Sequence, residues 1–273
     1  MKKSIIVLLT VLLLTGMSTG VFATSMFGGD AADQASADSI LDIVFAIDTS
    51  GSMWDDISAI GDAASDAITG MDCPDGDIWV RARFMGITGT GGIFDERVSS
   101  YVSAAGGVPV SNHSEDNGPA VTDLANWYDW NDDSSAGQDY YRAVVTIGDE
   151  GTENGQPVYQ SDWDAAYAAN QAAIANNVFL FSWITDDPYS GVPNLFETMA
   201  IGGTGGGHTF GNTHGTFIDG RGGIDVGATL EDIFCTAGSG GGGNPVPEPS
   251  TILLMGIGLL GLVGYSRKRS KKS

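Results

Sequence analysis

What this 273-residue chain has least of is positive charge. Twelve Lys and Arg face 34 Asp and Glu, for a formal net charge of −22. Seven of those bases sit at the ends: Lys2 and Lys3, then Arg267, Lys268, Arg269, Lys271 and Lys272. Between Thr24 and Ser266 there is no lysine, only Arg81, Arg83, Arg97, Arg142 and Arg221, so that interval carries about −29. A body this acidic excludes sequence-independent nucleic-acid binding, which needs basic contacts to phosphate. Cysteine is nearly absent: Cys73 and Cys235 are too few for a disulfide-dense mini-fold. Three scattered histidines, His113, His208 and His214, give no zinc-ligand spacing. Nor does any apolar run reach the roughly 20 residues that a helix needs to span a bilayer.

What is present divides the chain. Apolar residues make up 42 % of it, enough for a real core and too many for wholesale disorder. Lys2-Lys3, an apolar run over 5–14 and small residues at Val21 and Ala23 predict a secretory signal peptide, residues 1–23, cut after Ala23. Residues 24–37 are small and acidic and are expected to be disordered. One folded domain is expected over 38–236, and the glycines of 237–245 read as a flexible linker. At the far end, Val246-Pro247-Glu248-Pro249 precedes an apolar segment at 252–265 and then the basic tail. Fourteen helical residues reach only about 21 Å, short of the ~30 Å hydrocarbon layer, which makes a marginal anchor with its basic end cytoplasmic. Residues 246–273 resemble the PEP-CTERM sorting signal of Gram-negative bacteria, in which Pro247, Glu248 and Pro249 would be the recognised motif. The resemblance implies an exosortase as processing partner, transient inner-membrane anchoring, and a final place on the cell surface or in the extracellular matrix.

Within the domain, continuous apolar runs alternate with segments of helical spacing. Residues 43–47, 142–147 and 178–184 read as strands buried on both faces. Residues 79–87 read as an alternating strand, with a weaker strand at 94–102. Helices are expected over 57–71, 120–130, 162–176, 194–201 and 228–236, and an edge strand at 208–210. The alternation predicts an α/β fold: a doubly wound, mostly parallel sheet with helices on both faces.

Asp48-Thr49-Ser50-Gly51-Ser52 follows the first buried strand directly and precedes a helix, where open α/β sheets place ligand sites. A carboxylate and two hydroxyls spaced by two residues suit a hard divalent cation if Gly51 lets the loop turn around it. The plain alternative is that Asp48 or Ser50 only caps the helix. Asp149 closes a second buried strand in the same way. Residues 43–53 resemble the first strand and metal loop of von Willebrand factor type A domains, and the likeness extends over about 40–236. It implies a metal-ion-dependent adhesion site built from Asp48, Ser50, Ser52 and Asp149, with Mg²⁺ as the first expectation and Ca²⁺ or Mn²⁺ as alternatives. It also implies an acidic group of a protein or polysaccharide partner completing the metal shell, and no enzymatic activity.

The second loop of that pattern departs from the family's spacing. Its ligand is open between Thr122, Glu115 and Asp116. Asp55 and Asp56 extend the motif as in relatives that hold an adjacent second cation, although acids in a helix's first turn also suit the helix dipole. Because the resembled fold sets its first and last helices side by side, it implies a disulfide between Cys73 and Cys235. The same site used for stability alone, in a structural matrix protein, is the competing expectation.

Overall fold

The computed structural model describes residues 25–241 apart from 90–93, 156 and 186–188. The expected signal peptide, the end of the expected linker and the sorting segment lie outside the described residues. In chain order the elements are β1 (Ser25–Gly29), β2 (Ser39–Ile47), a 3₁₀ turn (Gly51–Met53), α1 (Trp54–Thr69), β3 (Ile78–Gly86), α2 (Val98–Ala104) and α3 (Asn117–Trp127). There follow β4 (Asp139–Gly148), α4 (Gln160–Ala175), β5 (Phe179–Ile184), α5 (Val192–Ile201), β6 (Gly203–Gly205), β7 (His208–Phe210), β8 (Phe217–Asp219) and α6 (Val226–Gly238).

Six strands form one sheet in the order β1-β3-β2-β4-β5-β8. All neighbours are parallel except β1, which runs antiparallel to β3 at the edge. The central strand shows why: every residue of β2 is buried, so successive side chains must find apolar partners on opposite faces. Leu41, Ile43, Phe45 and Ile47 pack with α1 and α6, through Ile57, Ile60, Ala64, Leu230, Ile233 and Phe234. Val44 and Ala46 pack on the other face with α2 to α5, through Val98, Val121, Leu124, Ala169 and Phe196. Helices thus cover both faces. No helix among the described residues is long and apolar enough to cross a membrane.

Cys73, just past α1, is bonded to Cys235 of α6 (S–S 1.99 Å, Cα–Cα 5.3 Å), joining the two helices that share one face.

Three expectations need correction. The segment expected to be disordered over 24–37 is ordered from residue 25: Ser25 to Gly29 pair in register with Arg83 to Trp79 of β3. Asp30 accepts from the amides of Cys73 (2.9 Å) and Ile78 (2.6 Å), while Ala31 and Ala37 are buried. Acidity there anchors backbone amides instead of solvating a tail. The strand expected at 94–102 is helix α2, because Val98 and Val102, one turn apart, both bury against the core. The linker begins later than expected, since α6 runs on to Gly238, whose carbonyl accepts from the Ser39 hydroxyl (2.7 Å). The short strand β8 has too few residues to register as a pattern.

Candidate functional site

The chain leaves β2 for β3 on one side, then returns to place β4 on the other. This reversal opens a crevice at the carboxyl ends of β2 and β4, where such sheets bind ligands. Register sets the two ends level: Ile47 pairs with Ile147, and the Asp48 amide donates to the Ile147 carbonyl (2.9 Å). Asp48 and Asp149 therefore emerge side by side.

The Asp48 loop folds back through a hydrogen bond from the Ser50 amide to Asp48 Oδ1 (2.6 Å). That side chain to backbone bond makes the turn by itself. A Cβ on Gly51 would meet nothing within 4 Å, so the glycine is not what allows it. The hydroxyls of Ser50 and Ser52 lie 2.9 Å apart, and Ser52 also hydrogen bonds to the Asp149 carboxylate. On the β4 side glycine is needed: a Cβ on Gly148 would strike the Asn117 amide, which is held there by the Thr146 hydroxyl (2.7 Å to Asn117 Oδ1).

These loops are short of positive charge. Asp48 is 0 % exposed and Asp149 4 %, yet Asp48 Oδ2 and Asp149 Oδ1 have no hydrogen-bond partner among the described residues. Burial pushes the Asp48 carboxyl up to about 8, with the charges of Asp149 and Glu115 adding and the Ser50 bonds opposing. Burial also raises Asp149, helped by Glu150 and Asp56. Glu115 is raised by burial and then by Glu150, against the pull of His113, whose Nδ1 is 3.4 Å from Glu115 Oε2.

The three second-loop candidates have different surroundings. Asp116 is saturated: its carboxylate accepts from the amides of Asn112 and His113 (2.8 Å each) and Asn154 (2.9 Å), strapping this loop to the one after β4. Thr122 lies within α3, and its hydroxyl donates to the Gly118 carbonyl of the preceding turn (3.2 Å). Glu115 is the one whose charge acts on both Asp48 and Asp149. Asp55 is exposed on the first turn of α1, whereas Asp56 acts on Asp149 and lines a small cavity of about 110 Å³ with Ile60, Trp183 and Thr185.

No group of three His, Cys, Asp or Glu among the described residues comes close enough to hold a metal unaided. A cation at this crevice would have to draw on hydroxyls as well. Asp48, Asp149, Ser50 and Ser52 supply such a set, all oxygen, with two buried carboxylate oxygens unpartnered. That chemistry fits a hard divalent ion. Sequence reasoning missed Asn117 and Thr146, which position the crevice, and Thr49, whose buried hydroxyl is also unpartnered. Their signal is three-dimensional: each is an ordinary polar residue beside a strand end.

Comparison with known families finds the PEP-CTERM protein-sorting motif over residues 245–269. The motif implies recognition by an exosortase and export through the cell envelope. No von Willebrand factor type A family model matches the chain, and no curated protein matches it.

Proposed function

We propose that the exported domain is a von Willebrand type A-like binding module, holding a divalent cation through Asp48, Ser50, Ser52 and Asp149 and using it to engage a protein or polysaccharide outside the cell. One observation carries this reading: two buried aspartates end adjacent parallel strands beside a pair of hydroxyls, each with one carboxylate oxygen that has no hydrogen-bond partner among the described residues. A buried charge without a partner is strongly disfavoured, and a bound cation removes that penalty. The ion would keep an open position for an oxygen of the partner. Mg²⁺, Ca²⁺ and Mn²⁺ all accept this donor set. Among the described residues the Ser50 and Ser52 hydroxyls are bonded to each other and no histidine is bonded to either, and the function we propose is binding.

The test is calorimetric titration of cation into the exported domain, followed by pull-down from cell envelope and matrix with and without EDTA. Asp48→Ala should abolish cation uptake and EDTA-sensitive retention while circular dichroism is preserved. Retention that survives both EDTA and the substitution removes the proposal. Complete burial of Asp48 favours a second reading, in which the ion serves stability in a structural matrix protein. Cation-dependent melting without saturable retention of any partner would select it.

A further inference from the structure

A second cavity, of about 170 Å³, lies back along β2 from the crevice. Asp42 is part of its lining, six residues and so about 20 Å along the strand from Asp48. Register brings its walls together. Phe27 of β1 stands opposite Arg81 of β3, and Ser25 opposite Arg83. Directly opposed residues of an antiparallel pair share a face, and all four line the cavity. Gly28 faces the other way, where a Cβ would strike Ile68 of α1. Past α3, the chain adds Tyr128, Asp129 and Asn131 to the lining.

The polar groups here are held in place. Arg81 is fixed by both oxygens of Asp42 and by Asp133. Arg83 is gripped by both oxygens of Glu96 (2.6 Å each), and its guanidinium lies 4.9 Å from the centre of the Tyr101 ring. Each guanidinium is neutralised by carboxylate, so neither is the free cation that a phosphate or carboxylate ligand needs. Two guanidinium groups in the wall also oppose a cationic ligand. So much polar lining does not suit a purely apolar one. What remains is an uncharged ligand with an apolar face and a hydrogen-bonding edge. Phe27, 64 % exposed, and the half-buried Tyr128 offer aromatic surface for the face. Ser25, Asp129 and Asn131 belong to exposed residues of the same lining and can meet hydroxyls at the edge. A sugar ring divides in that way, with CH groups on its face and hydroxyls around its perimeter.

We propose that this cavity is a subsite for one uncharged sugar residue, with Phe27 and Tyr128 against the ring and Asp129, Ser25 and Asn131 on its hydroxyls. It uses no cation and does not rest on the metal reading above. One ring in one cavity supports only about millimolar affinity, too weak to survive the washes of a pull-down. Retention from cell envelope or matrix therefore still reports on the crevice alone.

The experiment is an NMR titration of the exported domain, in EDTA and again in Ca²⁺, with neutral glucose, mannose and galactose trisaccharides and with uronate trisaccharides. At least one neutral sugar should saturate, with a Kd that EDTA and Asp48→Ala change by less than about twofold, as expected for independent sites. The uronates should bind at least about threefold more weakly, because Asp129 and the acidity of the domain oppose a carboxylate. Phe27→Ala should weaken neutral-sugar binding about fivefold or more, the scale of one lost ring contact. Asp129→Ala should cost about threefold or more, the scale of one lost hydrogen bond. Both side chains are on exposed residues, so thermal melting should stay close to the parent's. Failure of every neutral sugar to saturate overturns the proposal, as does binding indifferent to both substitutions. Uronates that bind as tightly as neutral sugars overturn it too. Sugar binding that vanishes in EDTA also overturns it, and assigns the sugar to the crevice instead.

Discussion

Asp42, inside β2, and Asp48, just past its end, are both carboxylates withdrawn from water, at 5 % and 0 % exposure. Asp42 is fully attended. Arg81 holds it with two bonds (2.6 and 3.1 Å), the Tyr140 hydroxyl donates at 2.6 Å and the Asn131 amide at 3.2 Å. Arg81 goes on to Asp133 (2.7 Å), closing a network over one edge of the sheet. Asp48 has the Ser50 amide on one oxygen and no partner on the other. One strand therefore carries a structural carboxylate with its cation built in, and a second with no cation among its hydrogen-bond partners. The difference separates an acid that organises the fold from one whose second oxygen has no partner among the described residues, as the proposed cation site requires.

The strongest way to break this comparison is to take the built-in cation away. Arg81→Met should leave Asp42 buried and uncompensated, costing about 3–5 kcal/mol of stability. Urea unfolding would show it as a lower midpoint, while cation affinity at the other end of the strand stays within about twofold, as expected for independent sites. If Arg81→Met abolished cation uptake in a still-folded protein, the two ends would not be independent.

The reverse substitution comes next in size. Asp48→Asn keeps the shape and removes the charge, so cation affinity should fall about 100-fold or more, at the upper end of what disturbing a metal site costs. Without cation, the variant should be at least as stable as the parent at pH 8, because an uncompensated buried charge has been deleted. Calorimetry and thermal melting in EDTA check the two halves. A variant that binds cation normally, or that melts well below the parent in EDTA, would place Asp48 in the same class as Asp42.

This contrast was only half legible in the sequence. The buried runs around Phe45, Val145 and Phe181 declare the parallel sheet because a strand covered on both faces has no polar positions to alternate. The position of Asp48 at such a run's end points to the crevice, and Asp149 repeats the sign. What the sequence could not show was which acids are satisfied. Asp30 reads as part of a loose acidic segment and Asp116 as a candidate ligand, yet both carboxylates accept from backbone amides, those of Cys73 and Ile78 for Asp30 and of Asn112 and Asn154 for Asp116. Nor could it rank Glu115 against Thr122, because the turns of the loop before α3 decide which side chain reaches the crevice. The helix at 98–104 is hidden for a similar reason: three of its seven residues are serines, which leaves Val98 and Val102, one turn apart, and half-buried Tyr101 as its core-facing signal.

A pH series sharpens the comparison further. The Asp48 carboxyl is pushed up to about 8 in the folded chain by burial, and then by Asp149 and Glu115, from an ordinary value of 3.8. Between those values the folded state keeps a proton that the unfolded chain has released. Cation-free stability from this group is therefore full at low pH and is lost as pH rises through the window. A cation must displace the same proton, so its apparent affinity should climb by up to about tenfold per pH unit toward pH 8 and then level. Melting in EDTA and in saturating Ca²⁺ at several pH values should show the two curves diverging as pH rises. Because the other acids also repel one another, the decisive quantity is the difference from Asp48→Asn, whose curves should diverge far less.

The smallest expected effects concern the second loop, and they decide which of its residues belongs with Asp48. Thr122→Val keeps the shape and removes a hydroxyl already bonded to the Gly118 carbonyl within its own helix. Cation affinity should change by less than about twofold, and stability by about 0.5–1 kcal/mol, the worth of an ordinary hydrogen bond. Glu115→Gln removes a charge that acts on both Asp48 and Asp149. At partial exposure and high effective dielectric that charge should contribute about three- to tenfold in cation affinity. If the order were reversed, with Thr122→Val the more damaging, α3 would have to shift on cation binding to bring its second turn to the strand ends. Crystals grown with and without Ca²⁺ would then show that movement as a broken bond between Thr122 and Gly118.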